Sequence, residues 1–234
     1  FDVSYALMVN ESAVAAMLAR RLYRVDTPVV LNMQSGDSLP YIKQHVPWWF
    51  WPTYKSLYRF PERITVISKW LRKRALSFGA PPEQITLIPN GVDLDHFTER
   101  DSRSRIREEL DIPQDAFVSI TTSRLVLKNN VDGLIQALKR LDENHHLLIL
   151  GDGADKQALE QLAEGIDRIR FLGRIPHEEL PQYLCASDVF VRASRSEGFG
   201  NSFIEAMACG VPIIGTNVGG IPDFLEDEQT GLFC

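Results

Sequence analysis

Residues that build disulfide frameworks and metal centres are scarce in this sequence. Three cysteines, Cys185, Cys209 and Cys234, occur among 234 residues, an odd count without a C-x-x-C pair. The five histidines have no Cys, Asp or Glu partners at metal-ligand spacing. A disulfide-stapled secreted protein is therefore excluded, a reducing cytosol is expected, and we predict no metal site.

Long hydrophobic runs and a positive net charge are also absent. No apolar run approaches the ~18–20 residues of a membrane-spanning helix. The chain has 25 Lys and Arg against 31 Asp and Glu, a net charge of −6, which disfavours a nucleic-acid partner. With 44% hydrophobic and 24% charged residues, the composition indicates a globular protein with a buried core. We expect a cytoplasmic protein, either free or bound at the inner face of the membrane.

Short apolar runs alternate with amphipathic stretches along the chain. Several runs are apolar on both faces, which is typical of parallel sheets covered by helices, so the alternation predicts an α/β fold. The predicted strands are Val29–Met33, Ile64–Ser68, Ile85–Pro89, Phe117–Ser123, Leu147–Gly151, Ile169–Gly173, Val189–Ala193 and Pro212–Thr216. The predicted helices are Ser12–Tyr23, Trp70–Phe78, Val131–Leu141, Ala154–Ala163, Glu178–Ala186 and Ser202–Ala208.

Both ends of the chain and one polar stretch indicate how it is divided. The sequence begins inside a strand pattern, from Phe1 to Ala6, and stops at Cys234 just after a turn, so we interpret it as an internal fragment. Turn residues at 90–93, followed by a charged stretch, predict a linker over 90–103. We expect the rear part of one domain plus the linker over 1–97, and a nearly complete nucleotide-binding domain over 98–234.

A glycine-rich loop between a strand and a helix is the most informative segment. Gly198 and Gly200 allow a backbone to approach a ligand closely, and a helix that begins at Asn201 or Ser202, with either residue as its cap, suits a phosphate. Glu205 lies about one turn further, roughly 5–6 Å along the helix, near the reach from a diphosphate to a ribose. Glu197 precedes the glycines and is placed to meet a sugar hydroxyl. Alternatively, the Glu205 carboxylate only interacts favourably with the helix dipole, and Glu197 is a solvent-exposed acidic residue of the loop.

Glu197 and Glu205, with seven residues between them, resemble the E-x7-E signature of retaining glycosyltransferases of the GT-B fold. The surrounding residues look like glycosyltransferase family 4, and the likeness runs from about Ile64 to the end. Four further segments resemble that family in the expected order: Ile85–Asp93, Ser123–Lys128 with Val131–Ile135, Leu148–Gly153, and Val218–Asp223.

The resemblance implies a fold and an activity. The fold would be GT-B, with two Rossmann-like domains whose parallel sheets face a cleft, the N-terminal domain being incomplete and the extreme C-terminus missing. The activity would be retaining, metal-independent transfer of a sugar, hexosyltransferase-like, from a nucleotide-diphosphate sugar to a hydroxyl acceptor. That acceptor is a glycan, a lipid-linked molecule or a small molecule, as in cell-envelope polysaccharide biosynthesis. No cofactor is implied.

The resemblance also implies residue roles. Arg124 and Lys128 would hold the diphosphate and stabilise it as the leaving group, with Glu197 as the third catalytic residue. The family often has Lys five residues after Arg and then Gly, whereas here Lys128 comes four residues after Arg124 and Asn129 follows. The alternative for Arg124 is a surface charge at a strand end. The implied donor-binding residues are Glu205, Gly198, Phe199, Gly200, Asn201, Ser202, Arg174, Ile175, Gly219 and Gly220.

Two other short motifs favour different chemistry less strongly. Asp93 and Asp95 spell D-x-D, but they lie in a turn, where we expect Asp95 to act as a cap and not as a metal ligand. Gly151 and Gly153 begin a dinucleotide-binding pattern whose third glycine is replaced by Lys156. The main alternative to a transferase is a non-catalytic module that binds a sugar nucleotide. A nicotinamide oxidoreductase is less favoured, because its glycine pattern is incomplete.

The first part of the chain offers candidates for the acceptor side. Gln34, Gly36 and Asp37 follow a predicted strand and are candidates for acceptor contacts, or else form a plain turn. An aromatic stretch from His45 to Phe60 has two interpretations: a helix packed on the core, or a surface for a lipid or lipid-linked acceptor. Pro47 and Pro52 disfavour one long helix. Peripheral membrane contact would run through Trp48, Trp49 and Trp51.

Overall fold

The strands form two sheets in the computed structural model, which describes residues 2–24, 26–98 and 101–234. Pairing is parallel throughout these ranges, so the predicted α/β architecture with parallel sheets is confirmed. The chain divides into two compact units. The first unit comprises the chain up to Asn90, with Ser196–Phe199 and Gly219–Asp223; the second comprises Gly91–Arg195, Gly200–Val218 and Phe224–Cys234.

The first unit has a four-stranded sheet in the order β1-β2-β3-β4. Leu31, Ile64 and Val66 on its strands are fully buried, as are Leu71 and Ala75 on the last helix. Its elements are β1 (Ser4–Leu7), α1 (Glu11–Tyr23), β2 (Val29–Met33), α2 (Leu39–His45), α3 (Trp51–Ser56), β3 (Arg63–Val66), α4 (Lys69–Ser77) and β4 (Ile85–Leu87), with short 3-10 turns at Trp48–Phe50 and Pro82–Gln84.

The second unit has a six-stranded sheet in the order β10-β9-β8-β5-β6-β7, which is the doubly wound order of dinucleotide-binding folds. Its elements are α5 (Arg103–Glu109), β5 (Phe117–Thr122), α6 (Val131–Leu138), β6 (His145–Leu150), α7 (Lys156–Leu162), β7 (Ile169–Gly173), α8 (Leu180–Cys185), β8 (Val189–Arg192), α9 (Asn201–Ala208), β9 (Ile213–Gly215) and β10 (Leu232–Phe233), with a 3-10 turn at Leu127–Asn129.

Element ends differ from the predictions for identifiable reasons. Strand β6 begins at His145, two residues early, because His145 and His146 pair with β5. Helix α6 stops at Leu138, short of the predicted 141, because the chain continues in tighter turns there. Helix α5 begins at Arg103, which the sequence placed in the linker. Cys209 is buried, whereas Cys185 is only partly covered.

Three features of the predicted organisation stay predictions. The boundary between residues 97 and 98 is one of them. Glu99 and Arg100 in the predicted linker lie outside the described residues, as does Phe1 in the first predicted strand.

Among the residues described, no helix combines the length and apolar character needed to cross a bilayer.

The aromatic stretch divides between the two interpretations. Tyr54 and Tyr58 are buried, and the Tyr58 ring stacks on Phe78 with centroids 4.7 Å apart. Trp51 stacks on Tyr54 at 5.3 Å and therefore packs inward. Its neighbours on the 3-10 turn, Trp48 and Trp49, are 87% and 65% exposed.

A buried arginine ties α5 to the sheet of the second unit. Arg107 is fully buried, and its guanidinium donates to the Asp188 carboxylate at 2.8 Å and to the carbonyls of Ala186 and Ala116. Partial burial on its own would raise the pKa of Asp188, but hydrogen bonds from the Val118 N–H and two arginines outweigh it and hold the pKa below its ordinary value.

We predict that Asp188→Asn destabilises the second unit by about 3 kcal/mol or more, because Arg107 keeps its charge without its anionic partner. The folded state holds the Asp188 proton less tightly than the unfolded chain does. Its contribution is therefore full above the ordinary Asp pKa of about 4 and is lost as the pH falls below it. Urea unfolding at pH 7 and pH 3 measures both effects, with Glu160→Gln, at an exposed position of α7, as the control. An equal loss of unfolding free energy at pH 7 and pH 3 would contradict this role of the Asp188 carboxylate.

Candidate functional site

The chain leaves the sheet of the second unit in opposite directions from two neighbouring strands. From β5 it continues toward β6 and β7, and from β8 toward β9 and β10. Ligands of doubly wound folds bind beyond the carboxyl ends of the strands at such a point. The loops that follow these strands touch here, since the Arg195 N–H donates to the Lys128 carbonyl at 2.8 Å.

A cavity of about 580 Å³ opens beside this point, within the size range of ligand sites. Three predicted residues line it together: Arg124 after β5, and Arg174 and Ile175 after β7. The lining contains two cationic residues, Arg124 and Arg174, against one acidic residue, Asp152, in a unit that is otherwise acidic. An anionic ligand therefore suits this cavity.

Two glycines after β6 bring that loop into backbone contact with the loop after β5. A Cβ at Gly151 would overlap the Ser123 carbonyl oxygen, and one at Gly153 would overlap that of Leu125. The Leu125 N–H also donates to the Asp152 carbonyl at 2.9 Å. The absence of side chains at Gly151 and Gly153 therefore allows the loop after β6 to contact the loop after β5.

The segment after Arg124 departs from the family pattern in a way that the structure explains. Asn129 is buried, and its amide donates to the Arg124 carbonyl at 2.6 Å, which fixes that backbone. Asn130 has φ of 54°, a left-handed conformation that glycine favours and asparagine tolerates. Its side chain also accepts two hydrogen bonds from Arg195. Lys128 is half-buried in the 3-10 turn beside Asn129.

The start of α9 corrects the predicted cap. Gly200, with φ of 102°, is the cap residue, and no side chain caps the helix; Asn201 is its first residue. The Ser202 hydroxyl instead accepts a hydrogen bond from Arg192 at 2.8 Å. Arg192 also donates to Asn129 at 3.2 Å. Sequence reasoning missed this arginine, whose only signal is its place at the carboxyl end of β8.

Glu205 lies one turn inside α9 with 17% of its side chain exposed. His177 Nε2 lies 3.5 Å from a Glu205 carboxylate oxygen, and the His177 ring stacks on His96. The sequence singled out neither histidine. The signal available for His177 was its position shortly after Arg174 and Ile175.

The D-x-D turn beside His96 also differs from the prediction. Asp93, not Asp95, is the cap: its carboxylate accepts from the N–H groups of Asp95 and His96 at 3.0 and 3.2 Å. In residues 2–24, 26–98 and 101–234, no group of three or more His, Cys, Asp or Glu side chains is arranged to hold a metal.

Part of each predicted glycine loop, Ser196–Phe199 and Gly219–Asp223, belongs to the first unit. The Glu197 carbonyl accepts from the Gly220 N–H at 3.1 Å, and a Cβ at Gly219 would overlap the same oxygen. One carboxylate oxygen of Glu197 accepts from the Gly198 N–H at 3.0 Å. Phe199 is buried. The second glycine loop therefore contacts the Glu197 backbone directly.

Gln34 and Gly36, two of the acceptor-side candidates, contact the loop that contains Glu197 and Gly198. A Cβ at Gly36 would overlap the Gly198 nitrogen, and a Cβ at Gly198 would lie 2.6 Å from the Gln34 carbonyl oxygen. The Ser196 hydroxyl donates to the Gly36 carbonyl. Asp37 is held by the Ser35 hydroxyl, which donates to its carboxylate.

Comparison with known families gives two matches that together span most of the chain. The family described as "Glycosyl transferases group 1" matches residues 102–234. The family described as "Glycosyltransferase Family 4" matches residues 9–96. The first match alone covers more than half of the sequence.

Curated relatives carry several different donor and acceptor names. A GDP-mannose-dependent alpha-(1-6)-phosphatidylinositol monomannoside mannosyltransferase of Mycolicibacterium smegmatis is 34% identical over 182 residues, 72% of this chain and 47% of the relative. The N-acetyl-alpha-D-glucosaminyl L-malate synthase of Bacillus anthracis is 30% identical over 242 residues, 100% of this chain and 61% of the relative. The chain thus spans about half to three-fifths of these relatives.

Solved structures share the fold. Anabaena HepE in complex with UDP and glucose superposes with a TM-score of 0.87 at 24% identity, over 100% of this chain and 64% of that one. The sucrose-phosphate synthase of Thermosynechococcus elongatus gives 0.86 at 24% identity, over 100% and 60%.

We predict that Gly153→Ala lowers the free energy of unfolding of the second unit by about 1–3 kcal/mol, the usual cost of overpacking, because its Cβ meets the Leu125 carbonyl. Gly91→Ala is the matched control, since nothing lies within 4 Å of its Cβ and its φ is not positive. Denaturant unfolding of both variants is the measurement. Equal stability of the two variants would show that the loop contact is not tight.

Proposed function

The chain belongs to the glycosyl transferases group 1 family and has the GT-B fold; from this premise we propose that the protein transfers a sugar from a nucleotide-diphosphate sugar to a hydroxyl acceptor. The proposal includes retention of anomeric configuration and independence from divalent metal. The observation that carries it is the cavity beyond β5 and β7, where Arg124 and Arg174 lie together within the matched region.

Leaving-group stabilisation is the main chemical role proposed for the second unit. Breaking the bond between sugar and phosphate places negative charge on the diphosphate. Fixed cations aimed at that charge lower the barrier more than cations that must reorganise. Arg124, whose carbonyl is held by Asn129, and Lys128 in the adjoining turn supply those cations. The N-terminus of α9 adds a partial positive charge.

The two carboxylates take different parts in the proposed reaction. Glu205 accepts hydrogen bonds from the ribose diol of the donor, and His177 at 3.5 Å orients its carboxylate. Glu197, whose backbone is clamped by Gly219 and Gly220, contacts the transferred sugar. Gly198, Gly200, Asn201 and Ser202 shape the phosphate-facing loop, and Arg174 and Ile175 contact the nucleobase.

A diphosphate preference tests the nucleotide site. We predict that the full-length protein binds nucleoside diphosphates at least tenfold more tightly than the corresponding monophosphates, because one added charge-assisted contact supplies about 1.5–3 kcal/mol. Arg124→Ala should remove most of that preference, whereas Arg140→Ala on an exposed turn should keep it. Calorimetry with UDP, UMP, GDP and GMP is the measurement. Equal affinity for the two phosphate states would count against the site.

Substitution of the two carboxylates should change different kinetic constants of the transfer reaction, measured in EDTA on the full-length protein. Glu205→Gln weakens a charge-assisted bond to the donor's ground state, so the donor KM should rise roughly tenfold or more. Glu197→Gln should lower kcat more than it raises KM, because its contact matters most as charge develops on the sugar. Melting temperature and Glu164→Gln are the controls.

Four outcomes would contradict these assignments. Wild-type turnover in both variants would remove the carboxylates from the site, and a large loss of melting temperature would make them structural. Activity abolished by EDTA and restored by Mn²⁺ would refute metal independence. Nucleotide binding without any transfer would favour a non-catalytic binding module.

A further inference from the structure

A second cavity, of about 670 Å³, lies wholly in the first unit. The loops after β1 and β2 line it, so it occupies the carboxyl ends of parallel strands, where ligands of α/β folds bind. Its walls are mostly apolar and come from α1, α2, α3 and α4 as well. Representative wall residues are Val14, Leu18, Met33, Ile42, Phe50 and Leu57.

Polar groups of this cavity include a cluster on one wall. Gln34, Asp37 and Arg74 line it there. Arg74 is 7% exposed, donates to the Asp37 carbonyl and lies 3.9 Å over the Trp70 ring. Burial lowers the pKa of Arg74, but a guanidinium stays charged in proteins. The cavity therefore pairs a hydrogen-bonding wall with a much larger apolar volume.

An aromatic rim continues this apolar surface outward. Pro47 and Phe50 line the cavity, and Trp48 and Trp49 between them are 87% and 65% exposed. Residues 1–90 as a whole carry a net positive charge, with 11 Lys and Arg against 6 Asp and Glu, whereas residues 91–234 contain 14 against 25. Exposed tryptophans with basic residues are typical of surfaces that meet anionic lipid headgroups.

We propose that the acceptor is an amphiphile: its hydroxyl-bearing polar group meets Gln34, Asp37 and Arg74, and its acyl or isoprenoid chain lies in this cavity. This inference rests on the proposed glycosyl transfer and names its acceptor class. A free sugar or hydroxy acid would leave most of the apolar wall uncovered, whereas a hydrocarbon chain covers it. Trp48 and Trp49 place the cavity mouth at the lipid surface that supplies the acceptor.

Chain-length dependence of binding tests the cavity directly. Hexyl, octyl and decyl β-glucosides, each below its micelle concentration, are titrated into the full-length protein by calorimetry. Affinity should rise by about fourfold for each methylene that enters an apolar site. A rise below about 1.5-fold per methylene, well short of that transfer value, would overturn the proposal.

A cavity-filling substitution separates this site from general hydrophobic binding. Ala15, an exposed residue of α1, lines the cavity, so Ala15→Phe should fill it without disturbing the core and should flatten the chain-length dependence. Leu22→Phe is the matched control, because Leu22 is 68% exposed on the same helix and does not line the cavity. Equal behaviour of the two variants would contradict the location.

Anionic vesicles test the rim. The double variant Trp48→Ala and Trp49→Ala should bind vesicles containing phosphatidylserine at least tenfold more weakly than wild type; unchanged binding would remove the rim from the proposal.

Nucleoside diphosphate binding distinguishes failure of the amphiphile proposal from failure of the transferase proposal. If glucosides bind without chain-length dependence but UDP or GDP still binds, the amphiphile proposal fails and the transferase proposal stands. If no nucleotide binds while chain-length dependence is seen, the transferase proposal fails and the apolar site stands.

Discussion

Backbone contact between loops that follow neighbouring parallel strands is the constraint on which the candidate site of the second unit depends. Parallel strands deliver their following loops to the same edge of a sheet, and the loops can meet there only if no side chain separates them. Gly151 after β6 meets this condition against Ser123 after β5, and Gly153 meets it against Leu125 in the same two loops. A methyl group at either glycine would overlap backbone atoms. The glycines thus fix where the chemistry-bearing residues lie.

Three of the residues proposed to act on the donor, Arg124, Ser202 and Glu205, each contact a neighbouring polar side chain. Asn129 holds the backbone of Arg124, Arg192 joins Asn129 to Ser202 at the start of α9, and His177 lies beside Glu205. Preorganisation of this kind lets cations act on a developing charge without rearranging first. The acidic second unit therefore needs only a small, local concentration of positive charge to bind an anionic donor.

The sequence predicted the parallel sheets because their strands are continuous apolar runs, a local property that depends on no distant partner. It could not predict the Gly200 cap, because the Ser202 hydroxyl accepts a hydrogen bond from Arg192, ten residues earlier at the end of β8. Helix α5 was hidden in a charged stretch because its buried anchor, Arg107, is satisfied by Asp188 some 81 positions later. The aromatic stretch gave two interpretations because its residues divide between the core and the surface.

The most direct test of the proposed donor site is a crystal structure of the full-length protein with the nucleoside diphosphate that binds it most tightly. The account predicts that the diphosphate oxygens lie within hydrogen-bonding distance of the Arg124 guanidinium, with the nucleobase beside Arg174 and Ile175. A diphosphate bound away from Arg124, in the apolar cavity of the first unit or elsewhere, would contradict it.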